Sequence, residues 1–203
     1  DIKLEKMHEK DINNLIPIMK SAFDYDTKIQ EIQQNISKLI EVCNNLYNKQ
    51  LVSGKSGNVS IRLGDYIAIT PTLKAINGLN EEDIVLVDMD SNPLTNGKAS
   101  SEVGMHLAIY KKRKDVNAII HTHSPYVTGF AFSDKKIRRL EGFGKIKNPY
   151  LSSIEYEKPG SEDLALKASE GIGKEDVLIL KNHGVICVGN SLKETESLAV
   201  FIE

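Results

Sequence analysis

The stretch AIIHTHSPYV, residues 118–127, runs apolar and then presents His121 and His123 before a proline. Side chains alternate between the two faces of a strand, so these imidazoles leave the backbone on the same side and could grip one metal ion. The same pattern also arises where a strand simply emerges into solvent, and only a third ligand and a reacting group can decide between the two. KNHG, residues 181–184, joins the apolar runs LIL and VICV. A tight turn between two buried strands sets His183 at a sheet end on rigid flanks, with Asn182 and Gly184 as the turn residues. Three of the five histidines thus stand at the ends of apolar strands. Of the others, His8 is near the start, and His106 falls four residues past Glu102 on a helix, where a core or supporting position suits it better than ligation. Three imidazoles leave a fourth position on zinc open for substrate, as catalytic sites require.

Two further stretches could act with such a metal. Ser100, Ser101 and Glu102 put two hydroxyls and a carboxylate at a helix N-terminus, where free N–H groups and the helix dipole favour an anion such as phosphate. GNVS, residues 57–60, is a second small-polar loop in which Gly57 can bring its backbone close to a ligand. Each has a plainer reading alone, Ser-Ser-Glu as a helix cap and Gly-Asn as a turn.

The elements that must position these residues follow from periodicity. From Thr27 to Gln50 a stripe of Ile29, Ile32, Ile36, Leu39, Ile40, Cys43, Leu46 and Tyr47 recurs at spacings of three and four and predicts a helix, with DYDT (24–27) breaking the preceding pattern and capping it. Residues 1–26 read as an N-terminal extension, in which DINNLIPIMKSAF has helical spacing, and residues 27–203 as the main domain. GNVSIRL, DYIAIT and DIVLVD, separated by polar turns, predict an antiparallel succession of strands. ASSEVGMHLAIYKKRK turns helical with Ser100 or Ser101 as N-cap, and AIIHTH follows as a strand. A helix from Pro125 to Phe132, a loop rich in Lys, Arg and Gly, a helix opened by PGSEDLALKASEGI, the hairpin DVLILKNHGVICVG and a helix from about Ser191 complete the order. The fold class is an α/β layered domain with a largely antiparallel sheet.

Composition bounds the function. The 203 residues carry a formal charge of −2, which suits one compact domain and offers no footprint for nucleic acid. The one basic run, KKRKD at 111–115, is read as a solvated helix terminus. No apolar run is long enough to span a bilayer, and the charged start DIKLEKMHEK is no secretory segment, so a cytoplasmic protein without membrane partners is expected. Cys43 and Cys187 lack metal or redox spacing and fit buried thiols rather than nucleophiles. The chain starts without Met and stops within an amphipathic pattern, so sequence beyond both ends is expected.

Taken together, GNVSIR, ITPT, SSE, HTH and NHG, in this order and at these separations, resemble the class II aldolase/adducin family over about residues 30–203, with the zinc-dependent fuculose-1-phosphate aldolases as the nearest branch. The resemblance implies a three-layer domain with a central, largely antiparallel sheet flanked by helices. It implies Zn2+, or another divalent transition metal, held by His121, His123, His183 and, at rest, Glu102. Glu102 is also the implied acid/base, and Gly57, Asn58, Thr72, Ser100 and Ser101 the implied phosphate ligands. The implied reaction cleaves a ketose 1-phosphate to dihydroxyacetone phosphate and an aldehyde through a zinc-stabilised enediolate, in a homotetramer with sites between subunits. Cleaving a carbon–carbon bond beside a carbonyl gives such an enediolate, for which a Lewis acid is the natural stabiliser.

The chain departs from the family pattern at Leu73, which stands where its aldolases carry glycine, and in RRLEGFGK, where their tyrosine is replaced. Three other functions share the scaffold. Ribulose phosphate 4-epimerases have Asp in place of Glu102. Methylthioribulose-1-phosphate dehydratases share HTHS and use a glutamate a little further on, for which Glu141 is the counterpart. Adducin-like interaction modules keep the fold without the metal, which the three histidines argue against.

Overall fold

The computed structural model describes residues 22–140 and 148–203, the first five as backbone alone. The expectations on residues 1–21 and on Glu141 lie outside them.

Helix α1, Ala22–Asn48, runs for 27 residues, then strand β1, Asn58–Leu63, and β2, Tyr66–Ile69, form a hairpin. A short 3-10 turn, Glu81–Asp83, leads into β3, Val85–Asp88. Helix α2, Val103–Lys112, β4, Ala118–Thr122, and α3, Pro125–Ala131, follow. The remainder is β5, Ser152–Ile154, α4, Glu162–Ile172, the β6–β7 hairpin, Val177–Leu180 and Gly184–Gly189, and α5, Leu192–Ile202.

The seven strands form one sheet in the order β3-β2-β1-β4-β7-β6-β5. Every pairing is antiparallel except that of β5 with β6. Helices α1, α3 and α5 cover one face and α2 and α4 the other, which gives three layers. Strand alternation splits the core accordingly. Val59, Ile61 and Ile120 face α1, whereas Ile67, Ile119 and Ile186 face α2 and α4. His121 lies two residues beyond Ile119 and so emerges on the α2 side, opposite Asn58 on β1 and Ile186 on β7.

Helix α1 buries the predicted stripe at Ile29, Ile32, Ile36, Leu39, Cys43 and Leu46, with Val42 added, while Ile40 is half-buried and Tyr47 exposed. Each fully buried aliphatic of this kind contributes about 1.5–3 kcal/mol relative to exposure. The helix begins at Ala22, so DYDT continues it instead of breaking it. No Pro or Gly stands there to stop a helix. Strand β5 had no signal in the sequence, being three residues within a polar loop. The basic run ends α2 as expected, but Arg113 is mostly buried. Its guanidinium donates to the Gly173 and Glu175 carbonyls and pairs with Asp115. Both cysteines are buried, and burial pushes their thiols well up, which suits packing rather than nucleophilic chemistry. Among the described residues no helix is long and apolar enough to cross a membrane.

Candidate active site

β4 ends in the middle of the sheet, beside the turn that opens β7, and both deliver imidazoles to the same place. The turn spans Lys181–His183, with Asn182 at φ 56°, a left-handed conformation that asparagine tolerates. His183 N–H donates to the Leu180 carbonyl at 3.1 Å. The ring centroids of His121 and His123 stand 4.8 Å apart, those of His121 and His183 4.8 Å, and those of His123 and His183 5.0 Å. One nitrogen from each falls within 4.8 Å of the others.

Glu102 completes the cluster from the start of α2. It is the N-cap itself, which corrects the expectation of Ser100 or Ser101 there. Ser100 instead stabilises the preceding turn, its carbonyl accepting from Val103 N–H at 3.0 Å and its hydroxyl from Glu102 N–H at 3.3 Å. The Glu102 side chain is therefore free to turn into the site. Its Oε2 lies 3.2 Å from His121 Nε2 and its Oε1 3.4 Å from His183 Nε2, and it is only 6% exposed.

The donor set fits a cation. His121 Nδ1–H donates to the Val185 carbonyl at 2.9 Å, which turns Nε2 toward the site. That nitrogen faces His123 Nε2 at 3.0 Å and the Glu102 carboxylate. Glu102 Oε1 is buried with no hydrogen-bond donor. Acceptors gathered around a common point without a proton to share repel one another, and a divalent cation removes that cost. Protonation states agree. Burial, then the neighbouring His121, push His123 and His183 down to about 4. Burial opposes ionisation of Glu102, but the imidazoles of His121 and His183 and the amide of Asn58 outweigh it and hold the carboxyl below its usual range. At neutral pH, Glu102 is a carboxylate and His123 and His183 carry free lone pairs. Such a set suits zinc or a similar metal.

The small-polar segments converge beside it. Ser100 N–H donates to the Thr70 carbonyl at 3.0 Å and Thr72 N–H to the Lys98 carbonyl at 2.9 Å, so 70–72 lies alongside 98–100. Val59 N–H donates to Thr70 Oγ1 at 3.2 Å, which joins the start of β1 to the same group. Gly57 has φ +79°, and a Cβ there would fall 2.7 Å from Val52 Cγ1 and 2.9 Å from the His121 carbonyl oxygen. Only glycine lets β1 approach the ligand strand this closely. Leu73, at φ 60°, adopts the left-handed conformation a glycine would take, and its side chain is exposed.

His106, expected in a core or supporting position four residues past Glu102, stands behind it, and its partners Asn58 and Ser60 are what the sequence did not disclose. Asn58 Nδ2 donates to Glu102 Oε2 at 2.9 Å, and His106 on α2 contacts both Asn58 and Ser60. Asn58, Ser60 and Arg62 share one face of β1, which reads as a solvent face yet is covered by α2. The matching polar spacing of Glu102, His106 and Tyr110 along α2 was the available signal.

Residues 37–203 match the model of the class II aldolase and adducin N-terminal domain. An L-fuculose phosphate aldolase of Methanococcus maripaludis is 42% identical over 160 residues, covering 79% of this chain and 87% of that one. A 5-deoxy-D-ribulose 1-phosphate aldolase of Bacillus thuringiensis is 31% identical over 175 residues, covering 85% and 82%. Among solved structures, an L-fuculose 1-phosphate aldolase superposes with a TM-score of 0.76 at 28% identity, covering 82% of this chain and 80% of that one. The chain belongs to the class II aldolase and adducin family.

Proposed function

We propose that the protein is a zinc-dependent aldolase that cleaves a ketose 1-phosphate of the fuculose 1-phosphate kind, reversibly, to dihydroxyacetone phosphate and an aldehyde. The observation that carries this reading is the buried Glu102 carboxylate set against His121, His123 and His183 while hydrogen-bonded to Asn58. A divalent cation held by these residues supplies a Lewis acid for the carbonyl and hydroxyl oxygens of the substrate. Glu102 is the base that moves the C3 proton of dihydroxyacetone phosphate, and a cation held with the three histidines would favour its carboxylate form. The Gly57–Asn58 pair, Thr72, Ser100 and Ser101 hold the phosphate, which fixes the reacting carbons relative to Glu102. Leu73, which stands where the resemblance implies glycine, takes a φ of 60°, a value that glycine favours.

The three aldolases named above act, by their names, on L-fuculose phosphate, 5-deoxy-D-ribulose 1-phosphate and L-fuculose 1-phosphate, and that likeness supports a phosphorylated sugar substrate without choosing the aldehyde. Exposed Tyr126, Phe130 and Phe132 suit the homotetramer that the resemblance implies, and a cytoplasmic setting is consistent with two buried free thiols.

The test is deuterium exchange into dihydroxyacetone phosphate by zinc-loaded protein. Wild type exchanges the C3 proton, and Glu102→Gln loses about 10²–10⁴ of that rate, as removal of a general base does. Exchange surviving in Glu102→Gln would overturn the assignment of the base. Turnover of a 5-thio-ribulose phosphate without any dihydroxyacetone phosphate formed would instead establish the dehydratase reaction.

A further inference from the structure

We propose that His106 is a positioning residue, which fixes the side-chain amide of Asn58 so that its NH2 group faces the carboxylate of Glu102. The inference rests on the reading of Glu102 as metal ligand and base. It concerns what holds that carboxylate in place.

Asn58 can present either end of its amide, since the two are almost the same shape and differ only in hydrogen bonding. With Oδ1 toward His106 Nε2 at 2.5 Å, Nδ2 donates to Glu102 Oε2 at 2.9 Å. Flipped, the amide would set its oxygen against the carboxylate, acceptor against acceptor, in a site that excludes water: Asn58 is 4% exposed and Glu102 6%.

What opposes the flip is the tautomer of His106. Ser60 Oγ lies 2.6 Å from His106 Nδ1 and 2.9 Å from the Tyr110 hydroxyl. Each hydroxyl has one proton, so the chain can run in only two senses. In one, Tyr110 donates to Ser60, Ser60 to His106 Nδ1, His106 Nε2–H to Asn58 Oδ1, and Asn58 Nδ2 to Glu102. In the other, every donor becomes an acceptor, Tyr110 falls back on the Asn117 carbonyl at 3.5 Å, and an amide oxygen confronts Glu102. The first sense satisfies every link with bonds of 2.5–2.9 Å, whereas the second leaves Tyr110 a longer bond of 3.5 Å and sets an amide oxygen against the carboxylate. Ser60, His106 and Tyr110 are completely buried, so no water repairs a wrong orientation.

The geometry follows from two periodicities meeting. Residues 58 and 60 share one face of β1, and residues 102, 106 and 110 share one face of α2, so the strand and helix interleave donor with acceptor from the site inward.

Two substitutions separate this role from simple packing. In His106→Gln the side-chain NH2 reaches the Nε2 position and still donates to Asn58. In His106→Asn the amide reaches only the Nδ1 position and the donor is lost. Zinc affinity, measured by chelator competition, should stay within about threefold of wild type for His106→Gln. It should fall by about 10–100-fold for His106→Asn, the range typical of residues that orient ligands. Equal losses in the two variants, or no loss in either, would overturn the proposal. An independent measurement needs no variant. Long-range proton–nitrogen correlation on the 15N-histidine-labelled protein should show His106 protonated on Nε2, and protonation on Nδ1 would overturn the proposal even if neither variant folds. Failure here is distinct from failure of the aldolase reading, which the exchange experiment on Glu102→Gln decides without reference to His106.

Discussion

Gly184 follows His183 directly and opens β7 against the two ligands of β4. A Cβ at this position would lie 2.5 Å from the Thr122 carbonyl oxygen, 2.8 Å from His123 Cδ2 and 3.2 Å from His121 Cε1. Restoring an ordinary contact of about 3.5 Å requires either backbone to retreat by roughly 1 Å. Thr122 is paired with Val185 in the sheet, so the retreat strains a buried ladder, and overpacking of that kind costs about 1–3 kcal/mol. At roughly 2–4 °C per kcal/mol for a chain of this size, Gly184→Ala should lower the Tm of the metal-free protein by about 2–12 °C. The effect on the metal should be larger. Coordination tolerates about ±0.2 Å, several times less than the displacement required, so zinc affinity should drop at least 10–100-fold. Chelator competition reads the affinity and differential scanning calorimetry the stability. Gly54→Ala is the control, because nothing lies within 4 Å of a Cβ there and only the φ of +54° is strained. Gly184→Ala binding zinc within twofold of wild type would refute the claim that this glycine makes room for the ligand rings.

Acid should destabilise the metal-free fold before it touches the carboxylates. His106, His123 and His183 hold folded pKa values of about 3, 4 and 4, while an unfolded histidine titrates near 6.5, so the unfolded state binds more protons in between. Stability is therefore complete above about pH 6.5 and lost as pH falls toward 4; urea unfolding at pH 7.5 and pH 5.0 giving the same midpoint would contradict this. Glu203 accepts from Tyr126 N–H at 2.9 Å and Val127 N–H at 3.1 Å, capping the start of α3. Glu203→Ala should cost about 0.5–2 kcal/mol, seen as a lower urea midpoint, and no change would show the cap to be idle. Ser101→Ala should raise KM more than it lowers kcat if Ser101 holds the phosphate and not the reacting carbons; an equal fall in kcat and kcat/KM would place it at the chemistry.

Local pattern carried far in this chain. Alternation on β4 put His121 and His123 on one side, and the apolar runs flanking KNHG fixed a hairpin that delivers His183, so the triad was readable from two segments. The N-cap was misplaced because Ser100 and Ser101 have the right chemistry for it. What decides instead is the strand-like pairing of 70–72 with 98–100, which pulls both serines out of the helix. The start of α1 was set too late because aspartates read as punctuation, whereas no Pro or Gly stands there to stop a helix. The buried polar chain from Tyr110 to Asn58 escaped because polarity on a strand face signals solvent unless the partner helix is known to answer it. Serine, arginine and asparagine on β1 acquire meaning only from histidine and tyrosine some fifty positions away.

The proposed metal ligands enter from three separated stretches of chain: the head of α2, the end of β4, and the turn between β6 and β7. An ion held among them acts as a cross-link. It closes one loop through α2 and a much longer one through α3, β5 and α4, and the entropy of those closures is spent only when the sheet's central pairings exist. No partly folded form presents the complete donor set, so affinity for the ion is affinity for the finished topology. Each tenfold excess of metal over its Kd then deepens the native well by about 1.4 kcal/mol. On the proposed metal-dependent reading, the supply of the ion would set how long the protein lasts as well as how fast it works.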